Sequence, residues 1–140
     1  MWAIPAISVR SCARRAVGLH EVWLTRGTAD PFSDKVVRSA SGAQFSLKIR
    51  CGGDLTELAA DLRKLGVKTC YRTLPASGGN VFLEPDLFDR SAIILGCEAT
   101  GVAELDNSRG LNIPMPGDAE SLNVAQAATV ILFEYVRRMF

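Results

Sequence analysis

Residues 91–95 read Ser-Ala-Ile-Ile-Leu and stop at Gly96, an unbroken apolar run with no polar alternation. A strand of that kind has no face to give to water, so it belongs inside a parallel sheet covered on both sides by helices. The chain around it supplies the partners. Residues 21–25 (EVWLT) and 68–71 read as strands, and 111–113 as a short one. Residues 34–43 read as a helix between Asp30-Pro31 and Gly42. The clearest helix covers residues 55–65: Asp54 can cap it with Glu57 three residues on, Leu55, Leu58, Ala59, Leu62 and Leu65 form its apolar stripe, and Gly66 ends it. Strands alternating with helices predict an α/β domain built on a mostly parallel sheet. Ligands of such sheets bind beyond the carboxyl ends of the strands, which points to the loops after Tyr71, Leu95 and Ile113.

A chain of 140 residues fits one domain and can bury a core without metal or disulfide staples. Lys and Arg number 16 against 15 Asp and Glu, which argues against a purely electrostatic nucleic-acid binder. Cys12, Cys51, Cys70 and Cys97 stand far apart and His20 is the single imidazole, so no zinc set is expected. No run reaches the roughly 18 apolar residues a membrane span needs. Scattered thiols suit a reduced, cytoplasmic setting. Residues 1–20 carry Arg10, Arg14 and Arg15 with no acid, which also suits a mitochondrial or plastid transit peptide. Val9, Cys12, Ala13, Ala16 and Val17 nevertheless fall on one helical face stopped by Gly18, and a domain helix is the favoured reading.

A final helix is predicted over residues 122–139. Val124, Ala127, Ala128, Ile131, Leu132 and Tyr135 make one apolar stripe, and Val130, Phe133 and Val136 make a second. One stripe can pack on the sheet; the other predicts contact with a second copy, a homodimer formed through this helix.

Three segments carry a resemblance. Residues 94–102 read I-L-G-C-E-A-T-G-V, residues 113–117 read I-P-M-P-G, and Ser121-Leu122-Asn123-Val124 opens the last helix. They resemble the second and third motifs of the SpoU (TrmH-like) RNA 2′-O-ribose methyltransferases of the SPOUT superfamily. Residues 9–11 (VRS), continuing to Gly18, and then residues 35–43 (KVVRSASGA) resemble the end of the first motif and the segment after it.

The resemblance implies a single domain over residues 1–140 whose carboxyl-terminal segments form a deep trefoil knot, a rare exception to the rule against knotted chains. It implies S-adenosylmethionine as cofactor, tRNA or rRNA as partner, and neither metal nor membrane. Arg10 matches the family's arginine beside the ribose oxygen, where a guanidinium that stays protonated can stabilise developing charge. Glu98, Ser121 and Asn123 match its other catalytic positions, and Thr73, Gly96, Ile113, Met115 and Leu122 would line the adenosyl pocket. With no separate RNA-binding domain in the sequence, Arg14, Arg15 and Arg38 would grip RNA. Ile4 and Ala6 stand where the first motif has asparagine and glycine, and residues 1–7 are short and broken by Pro5. The strand that opens such domains is therefore expected to be missing, leaving unpaired backbone groups in the sheet. An alternative stays open at this point: a member of the same fold that binds RNA or cofactor without methyl transfer, or a truncated fragment.

Overall fold

The computed structural model describes residues 2–3, 17–18, 21–75, 77–96, 101–118 and 121–140. Among the described residues seven strands form one sheet: β1 (Trp2–Ala3), β2 (Glu21–Leu24), β3 (Lys48–Cys51), β4 (Thr69–Thr73), β5 (Gly79–Asn80), β6 (Ser91–Ile94) and β7 (Ser108–Asn112). Their spatial order is β3-β2-β1-β6-β4-β7-β5, and every pairing is parallel. Among the described residues three helices accompany them: α1 (Asp34–Ala40), α2 (Leu55–Lys64) and α3 (Val124–Met139). A 3-10 turn at Ala43–Ser46 leads from α1 into β3.

The opening strand is present, which corrects the expectation that it is missing. Trp2 pairs with Val22 on one side and Ile93 on the other, and Ala3 pairs with Trp23 and Ile94. Two residues suffice because each has a ladder on both sides. Of the helix read over residues 9–17, only Val17 lies within the described residues. It is buried in the core, and Gly18 follows at φ 73°.

Adjacent residues along the strands feed opposite faces, as the pleat requires. Val22, Leu24, Tyr71, Ile93 and Leu95 join Ala128, Ile131 and Leu132 of α3 in one cluster. Trp23, Cys70, Ala92 and Ile94 join Leu58, Ala59 and Leu62 of α2 in the other. The 91–95 run is thus buried on both sides because α2 and α3 cover opposite faces. Burying a side chain such as Leu62, which is fully enclosed, contributes roughly 1.5–3 kcal/mol.

The local signals predict α2 well: Asp54 Oδ1 accepts from the Glu57 N–H at 2.9 Å while the Glu57 carboxylate accepts from the Asp54 N–H at 3.1 Å. The helix α1 ends earlier than the sequence suggests, because Ser41 already turns left-handed at φ 50°. On α3, Phe133 is exposed and Val130 half-buried, but Val136 of the same predicted stripe packs against the main core.

Candidate functional site

The strands β4, β6 and β7 end together, and the segments that leave them enclose a cleft. Its walls are Thr73 at the end of β4 with Leu74 and Pro75 after it, Leu95, Gly96 and Gly101 after β6, and Leu111 in β7 with Ile113 and Met115 after it. Ser121 and Leu122 before α3, with Val124, Ala127 and Ile131 from its first half, close the remaining side. These are the three loops that strand order singled out. The cleft, solvent mouth included, is about 740 Å³.

Two close approaches shape it. A Cβ on Gly96 would collide with the carbonyl carbon of Gly101, so the chain returning from the β6 loop lies directly on the strand end. Gly101 itself sits at φ 65° in open space, where glycine serves conformation rather than clearance. Thr73 donates its hydroxyl to the Ile94 carbonyl at 3.3 Å, tying β4 to β6 at the mouth of the cleft.

All five residues expected to contact cofactor, Thr73, Gly96, Ile113, Met115 and Leu122, line this cleft, and so does Ser121. Asn123 caps α3: its Oδ1 accepts from the Gln126 N–H at 2.9 Å. Arg38 is exposed on α1. Arg10, Arg14, Arg15 and Glu98 lie outside the described residues. Sequence reasoning missed Leu74 and Pro75, although a Leu-Pro step after a strand signals a turn there. It also missed that Val124, Ala127 and Ile131, read as one packing stripe, serve as cleft wall.

A polar network holds the far end of α3. Glu134 is buried, yet it accepts from Arg137 Nε and Nη2 and from Arg138 Nε, each at 2.7 Å. The hydrogen bonds from Arg137, helped by those from Arg138, outweigh burial and push the carboxyl down to about 2. Arg138 also donates to the carbonyls of Val81 at 2.8 Å and Glu84 at 2.6 Å, anchoring the helix to the segment between β5 and β6. Below it Tyr71 donates to Glu84 at 3.1 Å, and burial, with that acidic neighbour, raises the Tyr71 hydroxyl above its ordinary value.

An all-parallel α/β sheet with an apolar cleft at its strand ends, walled by aliphatic side chains and two glycines, is the form of an α/β domain with a small-molecule site. The chain belongs to the SpoU rRNA Methylase family, whose model matches residues 7–133. It is 37% identical over 121 residues to the 23S rRNA (guanosine(2553)-2′-O)-methyltransferase RlmP of Bacillus subtilis, covering 84% of this chain and 48% of that protein. It is 32% identical to the 23S rRNA (guanosine-2′-O-)-methyltransferase RlmB of Xanthomonas campestris pv. campestris, covering 93% and 52%. Among solved structures it resembles the SpoU methyltransferase AviRb from Streptomyces viridochromogenes in complex with AdoMet. There the TM-score is 0.81 and the identity 28%, with 99% of this chain and 60% of that one covered. The chain spans about half the length of these two curated relatives.

Proposed function

We propose that this chain transfers a methyl group from S-adenosylmethionine to a ribose 2′-hydroxyl of rRNA or tRNA. The observation that carries the reading is the cleft, which brings Thr73, Gly96, Ile113, Met115 and Leu122 together from three loops far apart in sequence. The cofactor fits what lines it. Aliphatic side chains offer an apolar slot for a purine, and the bare backbone at Gly96 and Gly101 lets polar edges approach closely. The names of the relatives and the AdoMet complex of AviRb support the same reading.

Bound there, S-adenosylmethionine supplies a methyl group activated by a positively charged sulfur. A ribose hydroxyl is a weak nucleophile, so this chain must hold it in line and stabilise the oxygen as its proton leaves. Arg10 is assigned the stabilising role and Glu98 the task of orienting Arg10. Ser121, on the cleft wall, is assigned to the substrate side, and Asn123 fixes the start of α3 through its cap. Arg14, Arg15 and Arg38 would bind phosphates.

Two further features belong to this reading. Strand β7 lies between β4 and β5, which are consecutive in the chain, so the chain leaving β4 reaches β5 on the far side of β7. That crossing supports a trefoil knot. Phe133, 53% exposed on α3, and Met139, 50% exposed at its end, support a homodimer through this helix.

Titration of the whole chain with S-adenosylhomocysteine, sedimentation of the same sample, and transfer of labelled methyl to rRNA test the proposal together. Arg10→Ala should abolish transfer while S-adenosylhomocysteine still binds. Unchanged turnover would remove Arg10 from the mechanism, and a folded chain that ignores the ligand would refute the cofactor assignment.

A further inference from the structure

Two walls of the cleft come from different parts of the chain, residues 74–75 and residues 113–115, and one side chain joins them. Asn112, the last residue of β7, donates its amide Nδ2 to the Pro75 carbonyl at 2.8 Å. Its own backbone carbonyl accepts from the Val81 N–H at 2.9 Å. Asn112 therefore grips the segment that crosses β7 on both sides of the crossing. The other ties near the start are the Leu74 N–H to the Leu111 carbonyl at 2.8 Å and the packing of Gly78 on Gly110. Pro75 has no N–H to add, and the ladder resumes only where Gly79 pairs with Leu111 and Asn80 with Asn112. Among the described residues the Asn112 amide makes the one hydrogen bond that reaches Pro75. The next residue, Ile113, lines the cleft opposite.

We propose that Asn112 is a positioning residue for the cofactor: by holding the Pro75 carbonyl it sets the spacing between the wall of Leu74 and Pro75 and the wall of Ile113 and Met115. This rests on the reading of the cleft as the S-adenosylmethionine site. The role requires a donor, because a carbonyl only accepts. A carboxylate of the same shape would face the Pro75 oxygen with repulsion, and an alanine would leave that wall free to move.

The test uses the whole chain, wild type beside Asn112→Ala and Asn112→Asp. S-adenosylhomocysteine affinity is measured by titration calorimetry, urea unfolding on the same samples, and methyl transfer across S-adenosylmethionine concentrations. Both variants should bind about three- to tenfold more weakly, the weight of one lost hydrogen bond, with the loss in kcat/KM carried by KM for the methyl donor. Asn112→Asp keeps the side-chain shape and gives the result if Asn112→Ala folds poorly. An unchanged affinity of the folded variants overturns the proposal, whether or not their unfolding midpoints drop, and so does a loss carried by kcat alone. Wild-type protein that takes up no S-adenosylhomocysteine fails differently: it removes the cofactor reading of the cleft, and this proposal with it.

Discussion

The two wings of the sheet are built on opposite plans. In the amino-terminal wing, β2 and β3 follow one another in the chain and lie side by side, and α2 comes next with its own cap. In the carboxyl-terminal wing, β7 is inserted between β4 and β5, which precede it, and glycines meet where chain crosses chain. Both wings have an opening beside their strands, but the chemistry differs. The amino-terminal groove is rimmed by Arg50, Glu57, Asp61 and Lys64. Arg50 pairs with Glu21 and stacks 5.1 Å from the Trp23 ring centroid, so its charge is already occupied. The carboxyl-terminal cleft is walled by aliphatic side chains and bare backbone. The candidate site lies in the wing whose strand order is out of sequence, because there loops from three distant segments end at one place.

The sharpest way to break this contrast is Gly78→Ala. Gly78 sits at φ 106°, and a Cβ there would strike the Gly110 backbone. Strain and overpacking together should cost about 3 kcal/mol or more, read as a fall in the urea midpoint with loss of ligand binding. A variant as stable as wild type would mean the crossing is not tight.

Acid should loosen the same wing next. Glu134 is held at about 2, below its ordinary 4.5, by Arg137 and Arg138. Its stabilising contribution is therefore complete above pH 4.5 and disappears as pH falls toward about 2. Glu134→Gln should be less stable than wild type at neutral pH, and the gap should close over that window. A gap that stays constant with pH would dismiss the ion pairs as the cause.

The smallest effect is expected in the amino-terminal wing. Asp54→Ala removes the α2 cap and should cost about 1 kcal/mol in thermal or urea unfolding. Affinity for S-adenosylhomocysteine should be untouched, and a parallel loss of binding would show that the wings are coupled.

Much of the fold is legible in the residues. The cap at Asp54, the stripe of α2 and the run 91–95 are local patterns, and each marks its element to within a residue or two. The strands β3 and β5 were missed for equally local reasons. Lys48–Cys51 is a largely exposed edge with two charged residues, and Gly79–Asn80 holds two poor strand formers. Both pair because a neighbouring strand offers its backbone, not because their side chains ask for it. The same holds for β1, where two residues between Val22-Trp23 and Ile93-Ile94 complete a sheet that Pro5 seemed to forbid. Glu134 read as a polar point on a helix, and only its burial beside Arg137 and Arg138 makes it a latch.

Local sequence specifies the alternation of elements, the capped helix, the doubly buried central strand and the motifs that mark the family. Those rest on interactions between residues a few positions apart, which neighbouring side chains specify directly. Tertiary structure alone decided that β7 enters between β4 and β5, that Asn112 reaches Pro75 across the crossing, and that one stripe of α3 doubles as cleft wall. The Asn112–Pro75 contact joins residues 37 positions apart, and the Arg138–Glu84 contact residues 54 apart. They form only when the whole chain has closed around them, so no local pattern records them.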